Sequence, residues 1–128
     1  MRERCPCCNA RLKQAATCPR CRADLTAVIH SEKSAALWLD QAMRHLSDNE
    51  IEKSSLAINR SLRLKETKLA LAFRGFLIHQ QCRAILDLLS ETQVLSAKGR
   101  LYHVRLLMPY SRQLQHLNAF TDYLLVNL

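Results

Sequence analysis

Turn-forming residues are scarce in this chain: two glycines and three prolines among 128 residues. That scarcity excludes a fold made of many tight turns and favours long helices. It also excludes a glycine-rich phosphate cradle, and neither H-E-x-x-H nor G-x-S-x-G occurs. No apolar run approaches the roughly 20 residues that cross a bilayer. The charged, cysteine-rich start has no apolar segment of the secretory kind. Aromatic residues make up 5% of the chain and are absent before Trp38, so the N-terminal part lacks the rings on which single-stranded bases stack. His30, His45, His79, His103 and His116 are scattered, with no spacing that makes a metal set among themselves. Nothing in this inventory supports catalysis, a small-molecule substrate or a membrane partner.

Six cysteines stand against these absences, five of them within residues 5–21. Cys5-Pro6-x-Cys8-x-Ala10-x-Leu12 recurs as Cys18-Pro19-x-Cys21-x-Ala23-x-Leu25 at a constant offset, so one small unit is written twice. Two residues between paired cysteines suit a turn that aims both sulfurs at one ion, and two such turns supply four thiolates. Cys5, Cys8, Cys18 and Cys21 are therefore the expected ligands of one structural Zn²⁺. Cys7 falls opposite Arg20 in the internal alignment, a non-ligand position. Four protein sulfurs leave no open position for a reacting water. Paired cysteines favour metal and a reducing, cytoplasmic setting over disulfides. An iron site for electron transfer uses similar cysteine pairs and is the third reading of this segment.

The run resembles the short bacterial zinc ribbons, including the double-zinc-ribbon type, over about a fifth of the chain. The family usually has glycine after each second cysteine, where this chain has Asn9 and Arg22. The resemblance implies a left-handed backbone there, which asparagine tolerates better than arginine, and hence a distorted second knuckle.

Charge is uneven. Residues 1–31 carry six basic and two acidic groups, residues 32–97 nine and eight, and residues 98–128 four and one. Arg11, Lys13, Arg20 and Arg22, with Arg2 and Arg4, either offset the −2 charge of a zinc tetrathiolate or form a nucleic-acid surface.

Beyond the cysteines the sequence reads as mainly α. Residues 1–28 are expected to form the metal-held ribbon and 31–128 a helical bundle of four to five helices. Residues 26–30 read as a connection, with Ser31 as N-cap of a helix over 32–46 that buries Ala35, Trp38 or Leu39, Ala42 and Leu46. Ser47 and Glu50 form a capping-box pattern before a second helix. That helix buries Ile51, Ser54, Ile58, Ser61 and Leu62, and turns Lys53, Arg60 and Arg63 to solvent. A third helix, from 67 to 90 or beyond, contains Gly75, which is expected to admit a close neighbour, and Cys82 as a small buried group. Lys98-Gly99-Arg100 reads as a helix end. Residues 101–108 fit a helix better than a strand, and Pro109 interrupts it. A last helix over 110–126 carries the stripe Leu114, Leu117, Phe120, Leu124 and Leu128.

Residues 35–68 resemble a tetratricopeptide repeat. Trp38 stands at the aromatic position, Ala42 at a small position, and Ser54, Ile58 and Ser61 at small, large and small positions of the second helix. His45 and Glu66 replace the usual tyrosine and proline. The resemblance implies a partner-binding helical stack. A non-enzymatic adapter or assembly subunit is thus the first expectation. Its partner would be another protein or its own copy, met through surfaces that include Phe120, Tyr123, Leu124 and Leu128. A nucleic-acid accessory protein that uses the basic ribbon is the alternative.

Overall fold

The computed structural model describes residues 3–109 and 111–127. Arg2, Leu128 and the start expected for the last helix at Tyr110 lie outside them. Five helices follow the cysteine segment: α1 Thr26–Ser47, α2 Ile51–Leu64, α3 Lys68–Ser90, α4 Val94–Leu107 and α5 Arg112–Asn127. Among the described residues the only β pairing is two isolated antiparallel bridges, Arg4 with Arg11 and Thr17 with Asp24.

α1 begins six residues before the expected start. Asp24 Oδ1 accepts from both the amide and the hydroxyl of Thr26, at 3.0 and 2.6 Å, and Ile29 N–H already bonds Leu25 C=O at 2.9 Å. Leu25 is buried in the cysteine core and Ile29 packs against it, so the helix grows directly out of the second knuckle. The segment 26–30 is helix, not a connection. Ser31 lies inside it and caps nothing.

α1 and α2 are held together by small side chains. Ala35, Ala42, Ser54, Ala57 and Ser61 are all buried, which lets the two axes come close. Ser54 Oγ donates to Ala42 C=O and Ser61 Oγ to Ala35 C=O, each at 2.7 Å. The two bonds are one antiparallel register, seven residues apart on both helices.

Both helical hairpins close with the same turn. After α1, Asn49 takes φ 60° and Glu50 N–H reaches back to His45 C=O. After α3, Thr92 takes φ 62° and Gln93 N–H reaches back to Leu88 C=O. Each is a helix stop with a left-handed residue just past the end. Ser47 stays in α1 and forms no capping box. Glu50 turns its carboxylate to Lys53, and to His45 at 3.8 Å.

The equivalence continues at a spacing of 43 residues. Ser54, Ile58 and Ser61 on α2 correspond to Ala97, Leu101 and Val104 on α4, and all six are buried. The next helix is capped alike in both cases: Thr67 Oγ1 accepts from Ala70 N–H, and Ser111 Oγ from Leu114 N–H. Each helix packs on its chain neighbours, with α3 on α5 and α2 on α4 as further contacts. That pattern is a stack of helical hairpins ending in a single helix. One core runs through it, from Ala42 and Ile58 to Leu77, Ile85, Leu101 and Leu114.

Both glycines differ from expectation. Gly99 lies in the middle of α4 and ends nothing. A Cβ built on Gly75 or on Gly99 meets nothing within 4 Å, so neither serves a close approach. The stripe on α5 is also narrower than its spacing suggested. Leu114 and Thr121 are buried, while Phe120 is 47% exposed.

Gly75→Ala and Gly99→Ala should each raise unfolding stability by about 1 kcal/mol, since the helix gains propensity without a clash. Ser54→Leu should lower it by roughly 1–3 kcal/mol or more, by forcing α1 and α2 apart. Urea unfolding followed by far-ultraviolet circular dichroism measures all three.

Candidate metal centre

The two knuckles are superimposable in their bonding. Cys5 N–H donates to Ala10 C=O and Cys18 N–H to Ala23 C=O, at 2.8 and 3.0 Å. Asn9 N–H returns to Cys5 C=O and Arg22 N–H to Cys18 C=O, both at 2.9 Å. Leu12 N–H bonds Glu3 C=O, and Leu25 N–H bonds Ala16 C=O. Asn9 and Arg22 both take φ 60°. The left-handed residue is therefore present in each copy, and the second knuckle is not distorted. Arg22 adopts there a conformation that costs a residue with a Cβ about 1–2 kcal/mol. Leu12 and Leu25, one from each copy, are buried with Cys5 and Cys18 beneath the sulfurs.

Four sulfurs converge. The Sγ atoms of Cys5, Cys8, Cys18 and Cys21 all lie within 4.8 Å of one another. The Cys5–Cys21 and Cys8–Cys18 separations are 3.6 Å. A tetrahedron of metal–sulfur bonds near 2.3 Å has edges of about 3.8 Å, whereas a disulfide needs about 2.05 Å. These four side chains could hold one metal ion. Cys7 stays outside the group, exposed, and contributes its amide instead: Cys7 N–H points at Cys5 Sγ at 3.4 Å.

The electrostatics favour a cation. The Cys8 amide is the largest influence on the Cys5 thiol and holds it below its usual range. In the same position of the second copy, the Cys21 amide, with that of Arg20, brings Cys18 down to about 6. The Ala23 amide likewise pulls on Cys21, but desolvation and the thiols of Cys18, Cys5 and Cys8 win and push it up to about 12. Two thiols are thus pulled towards ionisation and a third is pushed away from it, because crowding disfavours several negative charges in one place. A cation held by Cys5, Cys8, Cys18 and Cys21 would offset that crowding of negative charge. Cys7 is also raised, first by the charge of Cys5.

Arg11, Lys13, Arg20 and Arg22 are all exposed around the knuckles, and none is in an ion pair among the described residues. On the helices, Arg60 and Arg63 are exposed as expected. Arg60 lies over the Trp38 ring, 4.6 Å from its centroid, and both arginines line a cleft with Arg74. No local pattern marks Arg74 as part of this group, because its position depends on how α3 crosses α2. Cys82 is buried as expected, and burial raises its thiol. Tyr123 is 61% exposed and Leu124 half-buried. No helix is long and apolar enough to cross a membrane. Comparison of the chain with protein families, curated proteins and solved structures gave no match.

Cys8→Ser should lose the metal and Cys7→Ser should keep it, as measured by metal content per chain after gel filtration. Arg22→Gly relieves the left-handed β-carbon at no cost to the sulfurs, and should slow transfer of the metal to a chelator.

Proposed function

We propose that this protein is a non-enzymatic adapter or assembly subunit, built as a helical stack on a structural Zn²⁺ module. The observation that carries the reading is the uncovered far end of the stack. α5 packs on α4 and α3, and its outer side leaves Phe120, Tyr123 and Val126 exposed at 47%, 61% and 84%. Leu95, at the start of α4, adds 78% exposure. In a stack of hairpins the last helix shows the face that a further repeat would cover. Apolar faces of this kind mark contact sites for proteins.

Zinc is the proposed ion because four thiolates in closed tetrahedral order suit it and leave no site for water. Cys5, Cys8, Cys18 and Cys21 would hold it, and it would supply folding energy to a segment with only a small core of its own. The ribbon-like knuckles and the free thiols agree with a reducing cytoplasm. The helical pairs are tetratricopeptide-like in their small-large-small packing. Their 43-residue spacing is longer than the 34 residues of that repeat, so the likeness is one of packing rather than period. A nucleic-acid role has one supporting observation, the exposed and unpaired Arg11, Lys13, Arg20 and Arg22 on the module.

Native mass spectrometry of the protein purified from its own cells, with and without nuclease, tests these readings together. The expected species is colourless, contains one zinc and carries a second protein that nuclease does not remove. Tyr123→Glu with Val126→Glu should abolish that complex and leave helicity and zinc content unchanged. Loss of the complex on nuclease or modest salt would instead establish the nucleic-acid role. A coloured protein with visible absorption would establish iron.

A further inference from the structure

A cleft of about 660 Å³ opens between α2, the first half of α3 and the α4–α5 turn. Three arginines line it: Arg60 and Arg63 from α2, and Arg74 from α3. None of the three forms an ion pair among the described residues, and Glu66 is the one carboxylate on the lining. The cleft therefore carries two uncompensated positive charges. Its remaining walls are mostly aliphatic, including Leu56, Ile78 and Leu107.

The walls are also held in place. Asn59 Nδ2 donates to Leu107 C=O at 2.8 Å, which ties α2 to the end of α4 across the cleft. Arg60 is fixed by its stack on Trp38, a contact that orders the guanidinium before any ligand arrives. A single-stranded nucleic acid suits this surface poorly. Among the described residues the lining holds no aromatic ring, and bases need such faces. A second copy of the chain, with net charge +8, is disfavoured by repulsion. The combination of ordered cations and aliphatic walls matches a segment that alternates apolar side chains with carboxylates.

We propose that this cleft seats an acidic amphipathic segment of a partner protein, with Arg60, Arg63 and Arg74 as its carboxylate anchors. The inference rests on the adapter reading and gives the partner a chemistry. It concerns a surface separate from the outer side of α5.

The test uses the full-length, zinc-loaded protein and three labelled synthetic helical peptides. The peptides share one leucine stripe and carry Glu, Gln or Lys at the polar positions. An oligouridine RNA is the fourth probe. Fluorescence anisotropy should show the Glu peptide binding at least about tenfold more tightly than the Gln peptide. Arg63→Gln with Arg74→Gln should level the two, and Arg63→Glu with Arg74→Glu should move the preference to the Lys peptide. Trp38, the single tryptophan, should report the Glu peptide through Arg60 by a change in emission. Circular dichroism of both double variants confirms that they fold. Equal binding of the Glu and Gln peptides overturns the proposal. So does a preference that survives charge reversal, or arginine dependence confined to the RNA. If the cellular complex forms and is unaffected by Arg63→Glu with Arg74→Glu, the adapter reading stands and the cleft proposal falls.

Discussion

The close approach of α1 and α2 rests on side chains that occupy very little space. Ala35, Ala42, Ser54 and Ser61 put the two helices near enough for serine hydroxyls on one to reach carbonyls on the other. A buried hydroxyl without a partner costs about 1–3 kcal/mol in protein mutational terms, and these two have partners that only this separation and this register provide. Sliding α2 by one residue would remove both bonds and drive larger side chains into the gap. The pair therefore fixes the first hairpin in one arrangement, and α3 then packs on a surface that is already defined.

α1 belongs to both parts of the molecule. Its first turn packs Ile29 against the core beneath the four sulfurs, and its later turns pack on α2. Lys65, at the end of α2, reaches back to Glu32 at 2.9 Å and closes the same corner. The cysteine segment has only four buried apolar side chains of its own, too few to outweigh the entropy of ordering it. Its amides are arranged to favour thiolates, and its thiols crowd one another. A cation would satisfy both conditions, and α1 continues without a break from this segment into the stack.

The stack uses two kinds of surface. The outer side of α5 exposes Phe120, Tyr123 and Val126. The side of the stack holds an ordered cluster of cations over an aliphatic floor. The ring under Arg60 and the hydrogen bond from Asn59 to Leu107 both brace that side.

How much of this was legible in the sequence follows from the range of each interaction. The paired cysteines and their doubled motif specified the sulfur cluster, because the turn chemistry is local and the two copies are the same. Helical periodicity identified the buried Ala35, Ala42, Ser54, Ile58 and Ser61, since an amphipathic face is written within a few turns. The start of α1 is not written in a local capping pattern, because the helix is fixed by burial of Leu25 in the cysteine core, with Asp24 accepting from Thr26 just before it. Gly75 and Gly99 were read as packing or stop signals, yet whether a glycine touches anything is decided by neighbours distant in the chain. The equivalence of the two hairpins is not legible in the sequence because matched positions share burial, not identity: Ser54 answers to Ala97, Ile58 to Leu101 and Ser61 to the larger Val104. Sequence alone thus determined the clustering of the four cysteines and the helical class. Only tertiary structure decided where the helices begin, which hairpins are equivalent and which arginines meet, because those depend on contacts between segments that no local pattern encodes.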